Sequence, residues 1–307
     1  MEKEEGKEKR RYIYTLTKPT LSYILKKEMR KTEYYDKRGL TMKRDINYGL
    51  MGKKIGVTKT DFDVWVIQIK NVTCYLIEGK DQAMLIDTGY GRNDLKRVVQ
   101  GICGLPLIVV NTHGHYDHVG GNGYFPEVWM GKEAFSLAKK KRPKRRMPYK
   151  DYKVLALEDG QVFDLGERQI TAYVLAAHHE SSFVFLDHNS GSLFTGDELE
   201  GGQVLLNVRE DNLAYKDIVR KYLANMHKLK EMEDKIKRIM ASHNGYCLSP
   251  SYIDDYIELC EKLLEDKATL MANPSGYWFP AYLFGGKRKL ARVEEAKASF
   301  VYRKEKR

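Results

Sequence analysis

The sequence predicts a layered α/β fold of two sheets, each covered on its outer face by helices. Three observations predict it. Between residues 57 and 200, short apolar runs of strand length are broken by turn residues. Segments with apolar residues at helical spacing stand between those runs and again after them. The chain has 307 residues, 42% of them hydrophobic, enough to bury a substantial core.

The elements follow in order. Residues 1–10, "MEKEEGKEKR", are densely charged and read as disordered. In "LSYILKKEMRKTEYY" (21–35), Leu21, Ile24, Leu25 and Met29 share one face, which predicts an amphipathic helix. "VWVIQI" (64–69), "TCYLIEG" (73–79) and "AMLIDTG" (83–89) predict three strands, with "EGKDQ" closing a hairpin. A helix over 93–102 and a strand over 105–112 follow, then a strand at 127–131 and a helix at 132–141. "QITAYVLAA" (169–177), "SFVFLD" (182–187) and "SLFTGD" (192–197) predict a second run of strands, the last two joined by the turn "HNSGS". Ile218, Val219, Tyr222, Leu223, Met226 and Leu229 stand at helical spacing in 214–232. A strand at 236–242, a helix at 251–264 and an edge strand in "KASFVYRK" (297–304) complete the list. These elements divide the chain into a basic N-terminal extension (1–56), a core (57–250) and a C-terminal segment (251–307) belonging to the same domain.

Composition excludes several classes. No apolar run approaches the roughly 18 residues that a membrane span needs. The charged N-terminus lacks the apolar stretch of a secretory signal, so a cytoplasmic protein is expected. Cys74, Cys103, Cys247 and Cys260 are widely spaced, so free thiols are expected and a cysteine zinc site is not. The net charge is +11, and residues 1–56 hold +8 of it, from 16 Lys/Arg against 8 Asp/Glu. A second basic run is Lys139–Lys150. Neither run interleaves stacking aromatics with its charge, so nucleic acid is not the favoured partner.

The chemistry concentrates in "NTHGHYDHVGG", Asn111 to Gly121, which holds three of the chain's eight histidines. His113 and His115 are two apart and point the same way in an extended segment. Asp117 and His118 follow where a helix can start, and two glycines let the backbone turn tightly. Imidazole and carboxylate donors suit Zn²⁺, with Fe²⁺ or Mn²⁺ as alternatives. Further donors stand at the ends of other predicted strands: His178 after "YVLAA", Asp197 after "LFTG", His243 after "IKRIMAS" and Asp87 after "MLI". "AAHHESS" offers both His178 and His179.

In their order, "LIDTG", "THGHYDHVGG", a lone histidine region, "LFTGD" and "SHNG" resemble the metallo-β-lactamase superfamily of metallohydrolases over roughly residues 57–250. The resemblance implies a four-layer αββα sandwich with metal ions at one edge, here with an N-terminal extension and a C-terminal helical and aromatic segment. It implies two Zn²⁺ per chain, one held by His113, His115 and His178 and the other by Asp117, His118 and His243, with Asp197 bridging. Asp87 would orient a ligand histidine, and Asp87 and Asp117 are the catalytic candidates. In the family a small or hydroxylated residue commonly follows the lone ligand by four positions, and Ser182 does so for His178. Here "AAH" replaces the common Pro-Gly-His turn.

The function implied is hydrolysis of a small ester, thioester or lactone by a hydroxide bridging two metal ions, whose water ionises near neutral pH. The alternatives are a phosphodiesterase that processes nucleic acid and a mononuclear iron oxygenase of persulfides. True β-lactamases of the superfamily usually carry Cys or Ser in place of Asp197. Its nucleases insert a cap domain where this chain has 45 residues between Asp197 and His243. Its di-iron flavoproteins carry Glu in place of His115. The segments left to set the substrate are 1–56, 139–150 and the aromatic stretch 273–289, with Tyr277, Trp278, Phe279 and Tyr282 as walls of an apolar pocket.

Overall fold

The computed structural model describes residues 33–35, 41–43, 55–91, 95–139, 151–201, 204–206, 215–268, 270–271, 290–295 and 298–303. The expectations for 1–10, for most of 21–35, for 140–150 and for 273–289 lie outside these residues.

One sheet has nine strands that follow chain order across it: β1 (Glu33–Tyr35), β2 (Thr41–Lys43), β3 (Ile55–Lys59), β4 (Val64–Ile69), β5 (Val72–Glu78), β6 (Ala83–Ile86), β7 (Leu107–Val110), β8 (Glu127–Met130) and β9 (Lys153–Ala156). Strands β1 to β6 pair antiparallel, and β6 to β9 pair parallel. The second sheet has the order β10 (Val162–Asp164), β11 (Gln169–Val174), β12 (Phe183–Asp187), β13 (Ser192–Gly196) and, crossing over β14 (Val204–Leu205), β15 (Arg238–Ala241). Helices α1 (Leu95–Ile102), α2 (Tyr116–Val119), α3 (Phe135–Ala138), α4 (Tyr215–Lys230) and α5 (Tyr252–Leu264) lie outside the two sheets.

Strand alternation shows why the layers form. In β4 to β6, Val64, Val66, Tyr75, Ile77, Met84 and Ile86 face the second sheet and meet Phe163, Ile170, Phe183, Phe185, Phe194 and Met240. Their neighbours Trp65, Ile67, Cys74, Leu76 and Leu85 face outward and bury Leu95, Val98 and Val99 of α1. On the far side, Val184, Leu186, Leu193 and Ile239 pack beneath Val219, Tyr222 and Met226 of α4 and Ile253, Tyr256 and Leu259 of α5. Three apolar interfaces separate four layers, helix, sheet, sheet, helix, as the sequence predicts. Each fully buried aliphatic or aromatic side chain contributes roughly 1.5–3 kcal/mol.

Two expectations are corrected. Glu33–Tyr35 is a strand and not the end of a helix, because its backbone pairs with Thr41–Lys43. Such tertiary pairing outranks helical periodicity. The last strand, β18 (Ala298–Arg303), is an inner strand and not an edge. It lies between β14 and β17 (Leu290–Glu295) in a small sheet that β16 (Leu270–Met271) closes. Its Phe300 is buried among Tyr222 and Tyr256, so this strand closes the α4–α5 face. Cys74, Cys103, Cys247 and Cys260 are free thiols. Among the described residues, no helix is long and apolar enough to cross a membrane.

The topology defines two ends. Strands β6, β7, β11, β13 and β15 all finish at one edge, the place where open α/β sheets bind ligands. At the opposite end Arg168 clips the sheets together. Its Nη1 donates to the Glu78 carbonyl at 2.9 Å, and its Nη2 donates to Asp187 Oδ2 at 2.5 Å. Asp187 is fully buried, so Arg168→Ala strands an uncompensated charge and is expected to cost about 3–5 kcal/mol in denaturant unfolding. Lys80→Ala, which removes the exposed pair with Glu167, is expected to cost less than about 1 kcal/mol in the same measurement.

Candidate metal centre

Asp87 directly follows β6 and lies in the left-handed region with φ 63°, and Asn111 directly follows β7. These parallel strands bring the two loops together. Asp87 Oδ1 accepts the Thr112 amide at 2.8 Å, and Oδ2 accepts the Thr112 hydroxyl at 2.8 Å and His118 Nδ1–H at 2.7 Å. The Asn111 side chain donates to the His118 carbonyl at 3.0 Å and accepts from Asn122 Nδ2 at 2.8 Å. Gly120 has ordinary helical torsions (φ −61°), so its absent side chain serves close approach and not a turn. A Cβ there would lie 2.5 Å from Tyr90 C, and one on Gly121 would lie 2.4 Å from the Thr88 carbonyl oxygen.

Seven inward-facing donors form two groups, His113, His115, His178 and Asp197, and Asp117, His118 and His243. In the first, His115 Nδ1 lies 2.8 Å from His113 Nε2 and 2.9 Å from His178 Nε2. Asp197 Oδ2 lies 3.8 and 3.6 Å from those two Nε2 atoms. In the second, His243 Nε2 lies 3.5 Å from Asp117 Oδ2, and the other oxygen of Asp197 lies 3.2 Å from His118 Nε2 and 3.5 Å from His243 Nε2. One carboxylate thus presents one oxygen to each group.

The outer ring nitrogens settle what the inner ones are. His178 Nδ1 lies 2.7 Å from the Leu205 carbonyl, and His243 Nδ1 lies 2.5 Å from the Asn71 carbonyl. A carbonyl only accepts, so both Nδ1 atoms carry the proton. Asp87 fixes His118 in the same tautomer. The Thr112 hydroxyl, whose proton goes to Asp87, accepts His113 Nδ1–H at 3.1 Å. Four Nε2 atoms therefore converge in one enclosed space. His118 Nε2 and Asp197 Oδ1, both buried, face each other at 3.2 Å and have no other hydrogen-bond partner. Uncompensated polar atoms in such a space are costly. Divalent cations satisfy them, and Zn–N distances of about 2 Å suit this spacing. The donor set fits the group that the sequence implies.

The structure brings together all seven side chains named from the sequence, with Asp87 behind His118. His178 enters the cluster, whereas Nδ1 of the neighbouring His179 faces Ser181 Oγ at 2.7 Å. His188 bonds Thr171, and His227 is exposed on α4. Thr112, Glu198 and the carbonyls of Asn71 and Leu205 escape the sequence reading. A hydroxyl beside a His-rich loop was the one available signal.

Ionisation follows burial and charge. Burial, reinforced by neighbouring histidines, holds His113 and His115 well below the usual imidazole range, and burial also lowers His178. Burial also opposes charge on His118 and His243, but carboxylates outweigh it. Asp197, Asp87 and Asp117 raise His118, while Asp197, Asp117 and Glu200 push His243 up to about 10. Asp197 and Asp117 sit well below the usual carboxylate range, because these imidazolium charges exceed the cost of burial.

A family model described as the metallo-beta-lactamase superfamily matches residues 68–272. The human protein named acyl-coenzyme A thioesterase MBLAC2 is 26% identical over 205 residues, covering 55% of this chain and 71% of that protein. A hydroxyacylglutathione hydrolase of Gloeobacter violaceus is 29% identical over 126 residues, 41% of this chain and 47% of that protein. Among solved structures, a metallo-beta-lactamase from Pontibacter korlensis superposes with a TM-score of 0.51 at 21% identity, covering 67% of this chain and 99% of that one. At that identity the likeness shows the fold.

A metal ion held by Nε2 of His118 and His243 would need both rings neutral, whereas the surrounding carboxylates raise His118 and push His243 up to about 10. Zinc binding at pH 7 is therefore expected to release roughly two protons, and zinc affinity to rise with pH until His243 has titrated. Calorimetry in buffers of different ionisation enthalpy measures this. Release of less than one proton would contradict the assignment.

Proposed function

The chain belongs to the metallo-beta-lactamase superfamily, and from that premise we propose that it is a dinuclear zinc hydrolase of acyl thioesters formed with a small thiol carrier. The observation that carries the proposal is the division of Asp197 between two donor groups, with Oδ2 toward His113 and His178 and Oδ1 toward His118 and His243. Asp117, His118 and His243 supply a second set of donors, which favours two ions over one. Zinc ions bound there would ionise a water near neutral pH and polarise the substrate carbonyl.

The chain's own residues supply the geometry. The carbonyls of Asn71 and Leu205, together with Asp87 and Thr112, hold four imidazoles in fixed tautomers, so those four donors are set before the reaction begins. Asp117 keeps 21% of its side chain exposed while His118 is fully enclosed. Solvent therefore reaches the donor groups on the Asp117 side. None of the seven inward groups is left over as a general acid. A thiolate leaving group needs none, because a thiol ionises near pH 8.5, whereas an amide nitrogen must be protonated to depart.

The relatives support the same class. The matched mammalian and avian proteins are named acyl-coenzyme A thioesterases, and the bacterial ones hydroxyacylglutathione hydrolases. Coenzyme A and glutathione are both thiol carriers. The cytoplasmic location read from the sequence is consistent with such substrates.

Purified protein is expected to release free thiol from acyl-coenzyme A or acyl-glutathione substrates, to lose that activity to a chelator and to regain it with zinc. Asp197→Asn is expected to lower kcat at least about a hundredfold. Turnover that survives the chelator, or no turnover on any thioester, would overturn the proposal.

A further inference from the structure

The turn that carries Asp197 reads Asp-Glu-Leu-Glu, and neither glutamate belongs to the two donor groups. Glu198 is 1% exposed and Glu200 is 4% exposed. A carboxylate that cannot reach water needs partners inside the protein.

Glu198 Oε1 accepts the amide of His178 at 2.8 Å and that of Ala177 at 3.1 Å, and Oε2 reaches the Ala177 amide at 3.2 Å. The His179 amide points to the same carboxylate at 3.4 Å. Three successive amides converging on one carboxyl group form a nest. Its occupant dictates the backbone torsions of the turn and therefore the direction in which His178 leaves the chain. Here lies the physical account of "AAH": a carboxylate beneath the turn holds a backbone that the family usually shapes with Pro-Gly.

Glu200 does the matching thing on the other side. Its Oε2 accepts Asn244 Nδ2 at 2.8 Å. Asn244 directly follows His243 and sits in the left-handed region at φ 55°, a conformation that costs energy unless neighbours hold it. The two glutamates are themselves fixed from the helical layer. The Tyr222 hydroxyl of α4 donates to the Glu198 carbonyl at 2.5 Å, and the Tyr256 hydroxyl of α5 donates to the Glu200 carbonyl at 3.1 Å.

We infer that Glu198 and Glu200 are positioning residues with divided tasks. Glu198 sets the turn that aims His178 at His113 and His115, and Glu200 sets the turn that aims His243 at Asp117 and His118. The inference rests on the reading of the two donor groups as two metal sites.

Cobalt(II) titration of metal-free protein tests it, with visible absorption following each bound ion and thermal unfolding of the metal-free variants reporting the fold. His178→Ala and His243→Ala assign the binding steps to the two groups. Glu198→Ala is expected to weaken the His178 step ten- to a hundredfold and to leave the His243 step within about threefold. Glu200→Ala is expected to show the reverse. Glu198→Gln keeps a carbonyl acceptor under the nest and is expected to stay within about threefold of wild type at both steps. If Glu198→Ala does not fold, Glu198→Asp, too short to span the nest, carries the same expectation. Equal weakening of both steps, or of neither, would overturn the division of tasks. A wild-type protein that binds no cobalt would instead defeat the metal-site reading itself.

Discussion

Crowding of imidazole and carboxylate groups in one enclosed space is the constraint on which this molecule turns. His113, His115, His118, His178 and His243 direct ring nitrogens toward one another, and Asp117 and Asp197 add carboxylates. In the metal-free protein, the negative charge of these carboxylates favours the protonated forms of His118 and His243. Cations relieve it more fully, because they satisfy nitrogens and oxygens together. Asp197 sits where the two donor groups meet, and its two oxygens serve different sides. An Asn or Ser there would leave one side short of an anionic donor.

The fold makes that convergence affordable. Strands β6, β7, β11, β13 and β15 end at a common edge, so residues distant in sequence arrive at one place without long loops. The three apolar interfaces hold the sheets rigidly. At the far end Arg168 ties Asp187 of one sheet to the Glu78 carbonyl of the other. Tyr222 and Tyr256 carry rigidity from the outer helices to the turn after Asp197. The site thus rests on a packed scaffold and on backbone carbonyls that cannot easily move.

Much of this was legible in the sequence, for identifiable reasons. The four layers showed because alternation in stretches such as Val64–Ile69 and Phe183–Asp187 serves two apolar faces at once. The donors showed because "HGHYDH" is dense in rare residue types. What stayed hidden has no side-chain signature. The carbonyls of Asn71 and Leu205 hold His243 and His178, yet any residue supplies a carbonyl. Glu198 carried no signal in the sequence, since its amide partners lie about twenty residues back. Glu33–Tyr35 followed helical spacing, and only its pairing with Thr41–Lys43 makes it a strand. The inner position of Ala298–Arg303 depends on Val204–Leu205, a two-residue strand almost a hundred positions earlier.

The most direct test is anomalous diffraction from zinc-loaded crystals, recorded at the zinc absorption edge. The account predicts two peaks on either side of the Asp197 carboxylate, one within bonding distance of His113, His115 and His178 and the other of Asp117, His118 and His243. A single peak, or peaks away from Asp197, would contradict it.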